Sequence, residues 1–272
     1  MIFLFSGEGK TDLGVTDGTH TGVCPPLCWL PGPMTLLIDD IVQSEQQYSP
    51  LESQCCYFIS EILLNKLARR ISIPPLRGTN MNIYHSRGAQ ALAALALALS
   101  QRMDTAVVAI YFHDCDGTNS SPSERHRDMH FSMQERGFKL FGLKSGVPMI
   151  PNPKSEAWLL CALKEHPYQN CDQLELSSGN DNSPNSLKTQ LKNCLKRRGL
   201  DISGDLRQTL NNLIQPLEGE KQIDFLHIDM PSFCLFYEEL KEAIQLTDNN
   251  WKEEYDPSLN KCIDIASNLL DI

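Results

Sequence analysis

Apolar residues in the first half of the chain come in short blocks that end at polar, glycine-bearing loops. Ile2 to Phe5 is such a block, and it stops at Ser6-Gly-Glu-Gly. A continuous apolar run closing on a glycine loop predicts a buried strand leading into a functional turn. Residues 14–33 are rich in Gly, Pro and Thr and predict an irregular insertion. Helical spacing then predicts helices over Met34–Gln43 and Ser53–Arg70, and Pro74-Pro75 breaks the chain. Met81–Tyr84 fits a second strand and Gly88–Gln101 a helix. Ala106–Phe112 carries the strongest strand signal, continuously apolar and partly β-branched, as in a strand covered on both faces. Ser121–Arg136 reads as a helix and Lys144–Ile150 as a strand, and Pro153 opens an amphipathic helix that runs to about Lys164.

That order, β-α-(α)-β-α-β-α-β-α, predicts an α/β fold with a mostly parallel central sheet flanked by helices. Near residue 170 the style changes. Ser177–Ser186 is a polar loop, and beyond it the patterns are mainly helical. The organisation expected is a catalytic core over 1–168, with the insertion at about 14–33, and a mainly helical C-terminal cap over 169–272.

Composition adds limits. The chain has 272 residues, 41% of them hydrophobic, enough for a sizeable core. Its longest apolar stretch, Ala89–Leu99, falls short of the roughly 18–20 residues that cross a bilayer. No membrane association is expected. Met1–Ser6 has no basic leader and runs straight into a polar motif, so it reads as a strand and not a signal peptide, and the expected location is the cytoplasm. In that compartment the ten scattered cysteines read as reduced core residues. A formal charge of −10 argues against a broad non-specific nucleic-acid surface. It does not exclude a nucleic-acid enzyme, because carboxylates gathered for divalent metal make a site acidic. A local basic stretch runs from Lys188 through Lys192 to Lys196-Arg197-Arg198.

Three acidic clusters sit at expected strand ends or helix starts, where open α/β sheets carry their sites. Glu8 follows the first strand in Ser6-Gly-Glu-Gly-Lys-Thr-Asp12. Asp114 and Asp116 follow the strongest strand in His113-Asp-Cys-Asp-Gly-Thr118. Glu156 lies in the first turn of a helix, in Asn152-Pro-Lys-Ser-Glu-Ala-Trp158. Mg²⁺ prefers hard oxygen ligands and takes a few carboxylates while keeping waters. Two such ions about 3.5–4 Å apart activate a water and stabilise the leaving oxygen of a phosphodiester.

At these residues the sequence resembles a known family. Glu8 in its Gly-Glu-Gly loop, with Asp114-x-Asp116 after a later strand, is similar to the Toprim signature. That domain is shared by topoisomerases, primases, OLD-type nucleases and a ribosomal-RNA maturase. The longer strings Glu8-Gly-Lys-Thr-Asp-Leu-Gly14, Pro151-x-Pro153-x-x-Glu-Ala-Trp-Leu-Leu160 and Pro231-Ser-Phe233 are similar to stand-alone Toprim-like proteins, often encoded beside ATPases in bacterial defence loci. The resemblance implies Glu8, Asp114 and Asp116 as metal ligands, Glu8 doubling as general base, and Glu156 as a ligand of a second ion. The cofactor implied is Mg²⁺ or Mn²⁺, as two ions. The activity implied is cleavage of DNA or RNA as an anti-phage effector, controlled by a partner such as an ATPase. Topoisomerase and primase activities are not expected, because these residues hold no further domain for those machines.

Supporting roles follow more loosely. Lys154 offers a cation to the transition state, against a solvated lysine at a helix start. Arg87-Gly88, read as preceding a helix, offers a phosphate its guanidinium and backbone amides. Lys188 and Lys192 offer nucleic-acid contacts, against a solvated helix face. Asp12 reads as a loop cap, with support of the metal ligands as the alternative, and His113 as a side chain turned into the sheet, with a substrate contact as the alternative. Gly7-Glu-Gly-Lys-Thr11 lacks the spacing of a phosphate-binding P-loop. His20, Cys24 and Cys28 lack a fourth zinc partner and a finger-like spacing. Two rival functions remain. Asp114-Cys-Asp-Gly-Thr118 also resembles the nucleophile motif of haloacid-dehalogenase-type phosphatases, a reading that leaves Glu8 idle. A non-catalytic or dormant subunit of an ATPase complex is the other.

Overall fold

The computed structural model describes residues 1–9, 11–16, 18, 20–71, 83–116, 122–202, 204–216, 221–249 and 255–270. The chain is α/β. β1 (Ile2–Gly7) enters a short antiparallel pair, β2 (Gly14–Thr16) with β3 (Trp29–Pro31), inside the glycine-rich insertion. α1 (Pro33–Gln46) follows, with proline at its start, where the missing N–H costs nothing. Then come β4 (Cys56–Phe58), α2 (Glu61–Arg70) and α3 (Ile83–Met103). β5 (Val107–Phe112), α4 (Pro122–Met133), β6 (Gly146–Met149) and α5 (Ser155–Leu163) continue the alternation. The rest is helical: α6 (Leu187–Arg197), α7 (Leu206–Ile214), α8 (Pro231–Asn249) and α9 (Asn260–Ser267), with short 3₁₀ turns between.

Four strands pair in parallel in the order β4-β1-β5-β6. Successive side chains of a strand alternate between faces, and the core divides accordingly. Phe3, Phe5, Val108, Ile110 and Phe112 meet α1 and α5 to α8 on one face. Ile2, Leu4, Val107, Ala109 and Tyr111 meet α2, α3, α4 and α9 on the other. β6 lies at the sheet edge and carries Pro148, which has no N–H to offer an added strand. No helix among the described residues is long and apolar enough to cross a membrane.

Three expectations need correction. The stretch read as one helix over Ser53–Arg70 holds a strand, β4, before α2 begins at Glu61. Its apolar run matches helical spacing by chance, and pairing with β1 decides the outcome. Of the strand expected at Met81–Tyr84, Ile83 and Tyr84 belong to α3 instead; Met81 and Asn82, like Pro74 and Pro75, lie outside the described residues. The ten cysteines are not all reduced. Cys161 of α5 is bonded to Cys171, with a Cα–Cα distance of 5.3 Å, while the other eight are free thiols.

Candidate active site

The sheet order sets where a site belongs. The connection out of β1 runs through α1 on one face, and the connection out of β5 runs through α4 on the other. The helices therefore part between β1 and β5, and a crevice opens beyond the carboxyl ends of those strands. Glu8 and Asp114 stand there, directly after the two strands.

Backbone pairing continues past the strands and brings three loops side by side. Glu8 N–H donates to Phe112 O at 3.1 Å, His113 N–H to Met149 O at 3.0 Å, and Cys115 N–H to Pro151 O at 2.9 Å. Glu8 Oε1 then accepts from the Asp114 amide at 2.6 Å. Asp114 Oδ1 accepts from the Ser155 amide at 2.9 Å, which ties it to the first turn of α5 and its positive dipole end. Ser155 Oγ donates to Asp12 Oδ1 at 2.6 Å. The turn between Glu8 and Asp12 depends on Gly9, at φ +80°, where a Cβ would stand 2.4 Å from Asp12 Oδ2.

The electrostatics follow from this crowding. Burial raises the Asp114 pKa well above the usual carboxylate range, and Asp12, Glu156 and Glu8 add to it against the Ser155 amide. Burial likewise raises Asp12 despite the Ser155 hydroxyl, with Glu8 adding repulsion and Lys188 and Lys154 relieving it. Glu156 is raised by burial and by Asp12. Glu8 goes the other way: burial pushes it up, but the hydrogen bond and charge of His113, with the Asp114 amide, bring it below its ordinary value. His113 is buried, its Nδ1 3.4 Å from Glu8 Oε2. Its ring meets those of Tyr111 and His85 edge-on, at 4.7 and 4.9 Å. Burial, with His113 beside it, lowers His85 to about 4, so that ring is neutral near pH 7.

Glu8, Asp114 and Glu156 are thus brought together, and Asp12 joins them through Ser155. The sequence favours a cap at Asp12 over support of the metal ligands and does not single out Ser155; their position in the same two acidic motifs is the available signal. Asp116 sits at the margin, half-exposed, its Oδ2 3.4 Å from Lys154 Nζ. Lys154 is mostly buried and also reaches Asp181 Oδ1 at 3.1 Å, and these carboxylates raise its pKa against the opposing effect of burial. Gly117 and Thr118 lie outside the described residues. Lys188 is close enough to influence Asp12, whereas Lys192 lies one turn further along α6.

Arg87-Gly88 does not precede a helix, because both fall in the second turn of α3. Only the first four N–H groups of a helix are unpaired, so the Gly88 amide is not aimed at a ligand. Gly88 is needed for packing instead: a Cβ there would lie 1.9 Å from Tyr111 Oη. Arg87 is exposed and borders a cleft of about 230 Å³ with Asn65, Ala68 and Arg69.

Among the described residues, no three His, Cys, Asp or Glu side chains already form a ligand sphere. The donor chemistry still fits a divalent cation. Three of four converging carboxylates have raised proton affinities, each partly through the charge of another. Asp12 and Asp114 each spend one oxygen on the hydrogen bonds given above, leaving the other for a hard cation, while Glu8 meets the Asp114 amide with one oxygen and His113 with the other. Comparison with protein-family profiles, curated proteins and solved structures finds no match to this chain.

Proposed function

We propose that this protein is a Toprim-like, divalent-metal-dependent phosphodiesterase that cleaves nucleic acid. The observation that carries the reading is the meeting of Glu8, Asp12, Asp114 and Glu156 at the carboxyl ends of β1 and β5. Glu8, Asp114 and Glu156, with Asp12 or Asp116 as the further carboxylate, would hold Mg²⁺ or Mn²⁺. The metal would supply a bound water of lowered pKa and charge stabilisation at the scissile phosphate.

The chain's own residues divide the remaining work. Glu8 stays ionised at neutral pH and so accepts a proton. The Asp114 amide and His113 fix its two oxygens on separate donors. Ser155 orients Asp114 through its amide and Asp12 through its hydroxyl. Lys154 keeps its charge and can meet a phosphate oxygen once Asp116 or Asp181 yields. On the sequence resemblance, the setting is an anti-phage effector restrained by a partner, an ATPase being the first to seek by pull-down.

The test is cleavage of labelled DNA and RNA substrates with Mg²⁺ or Mn²⁺, comparing wild type with Glu8→Ala and Asp114→Ala and including a phosphomonoester. Polymer cleavage lost in both variants supports the reading and names the substrate. Phosphomonoester turnover that needs Asp114 and ignores Glu8 transfers the protein to the phosphatases. Inactivity on every substrate, alone and with its partner, leaves a binding subunit.

A further inference from the structure

Five of the 24 Lys and Arg residues lie within residues 182–200, and none of the 34 Asp and Glu residues does. In a chain of charge −10 this is a segregated positive tract, and the fold gives it a direction. Leu187, Leu191 and Leu195 form the buried stripe of α6, in the same core as α5. Lys188, Lys192 and Lys196 each follow one of these leucines, so they form a parallel stripe, and all three are exposed. Arg197 and Arg198 extend the charge at the far end and are exposed as well. No ion pair engages any of the five among the described residues.

The near end of the stripe is at the carboxylates. Lys188, at the first turn of α6, is near enough to Asp12 for their charges to interact. The segment leading into α6 crosses the site margin, where Asp181 meets Lys154 and a Cβ at Gly179 would stand 3.1 Å from that of Asp116. Ser186 then starts the helix, its hydroxyl accepting from the Thr189 amide. Lysines four residues apart on a helix are separated by about 6 Å along its axis. That is close to two nucleotide rises of about 3.4 Å along one strand, so successive lysines can address alternate phosphates.

We propose that α6 is the track along which a nucleic-acid strand enters the carboxylate crevice, its phosphates on Lys188, Lys192 and Lys196. This rests on the nuclease reading and adds which surface holds the polymer. A small phosphodiester would reach the crevice without touching Lys192 or Lys196. A polymer would need them.

The experiment is fluorescence anisotropy of labelled single-stranded and duplex oligonucleotides over a salt series, with Ca²⁺ in place of Mg²⁺ to keep the carboxylates neutralised. Wild type is compared with Lys192→Gln/Lys196→Gln and with a control, Lys66→Gln/Lys261→Gln, that removes equal charge elsewhere. The α6 variant is expected to flatten the slope of log affinity against log salt by about 1.8 on duplex or about 1.4 on single strands. Its affinity near 0.15 M salt should fall roughly tenfold to thirtyfold, with the control unchanged. An unchanged slope in a variant that still binds overturns the track and leaves the nuclease reading standing. If wild type binds no oligonucleotide yet hydrolyses a small phosphodiester, the track fails while the metal chemistry survives. If it does neither, both fail. An acidic polypeptide that competes better than an oligonucleotide of equal charge would reassign the stripe to a protein partner.

Discussion

The Asp114 amide donates to Glu8 Oε1 at 2.6 Å, so the two loops that end β1 and β5 are joined by a side chain of one and the backbone of the other. Glu8→Gln keeps a carbonyl oxygen for that amide and removes the charge and the basic oxygen. The variant should therefore fold, giving up only the stability that the Glu8 charge draws from His113, and lose about 10²–10⁴-fold in cleavage, the range for a lost general base. Cleavage rates and thermal denaturation on one preparation test this. Wild-type activity in Glu8→Gln would remove Glu8 from the chemistry.

The metal-free protein should be stabilised by Asp114→Asn. The substitution retains an oxygen for the Ser155 amide and removes a charge that Asp12, Glu156 and Glu8 all oppose. In EDTA near neutral pH its Tm should exceed that of wild type by a few degrees, where about 1 kcal/mol corresponds to roughly 2–4 °C for a chain of this size. Saturating Mn²⁺ should reverse the order, since a ligand at about 100-fold its Kd stabilises only the form that binds it, by about 2.7 kcal/mol. A lower Tm for Asp114→Asn in EDTA would show that the buried carboxylate is held by compensation this reading lacks.

The pH dependence has a definite sign. Asp12, Asp114 and Glu156 have pKa values raised in the folded state above their ordinary 3.8, 3.8 and 4.5. Their contribution favours the folded state below those values and is lost as pH climbs from about 4 toward their raised ones. Glu8, lowered, contributes stability above its ordinary value of 4.5 that is lost as pH falls. With three groups against one, the stability gained from Mn²⁺ should grow with pH above about 4, because the ion displaces protons held more tightly than usual. Thermal shifts with and without Mn²⁺ across pH 4–8 measure it, and a flat difference would dissociate the ion from these carboxylates.

Much of the framework was legible because it rests on local pattern. Ile2–Phe5 and Ala106–Phe112 are apolar on both faces, as central strands must be, and their ends marked Glu8 and Asp114 in advance. β4 was not legible: three residues form it, and only the pairing of Cys56, Tyr57 and Phe58 with β1 distinguishes them from the helix that follows. The same holds for Asp12 and Ser155. Nothing local distinguishes a loop aspartate from one whose Oδ1 takes a hydroxyl 143 residues away. Arg87-Gly88 misled for the opposite reason, since glycine suggested a helix start where the requirement is room for Tyr111 Oη.

The strings Glu156-Ala-Trp158 and Pro231-Ser-Phe233 are joined in the core. Trp158 Nε1 donates to Ser232 Oγ at 2.9 Å, and its ring meets Phe233 edge-on at 5.2 Å and stacks on Phe236 at 5.8 Å. Glu175 completes the joint, accepting from the Ser232 amide at 2.8 Å and from Asn152 Nδ2 at 3.4 Å. The helix bearing Glu156 is thereby held from behind. Ser232→Ala should cost about 1–3 kcal/mol, because it leaves a buried indole N–H without its acceptor. Trp158→Ala, which also opens a cavity, should cost about 3–5 kcal/mol. Denaturant titration gives both values, and Mn²⁺ affinity of the still-folded Ser232→Ala separates bracing from mere stability. Weaker binding at a temperature where the variant is folded means the joint sets the position of Glu156; unchanged binding confines Ser232 to the core.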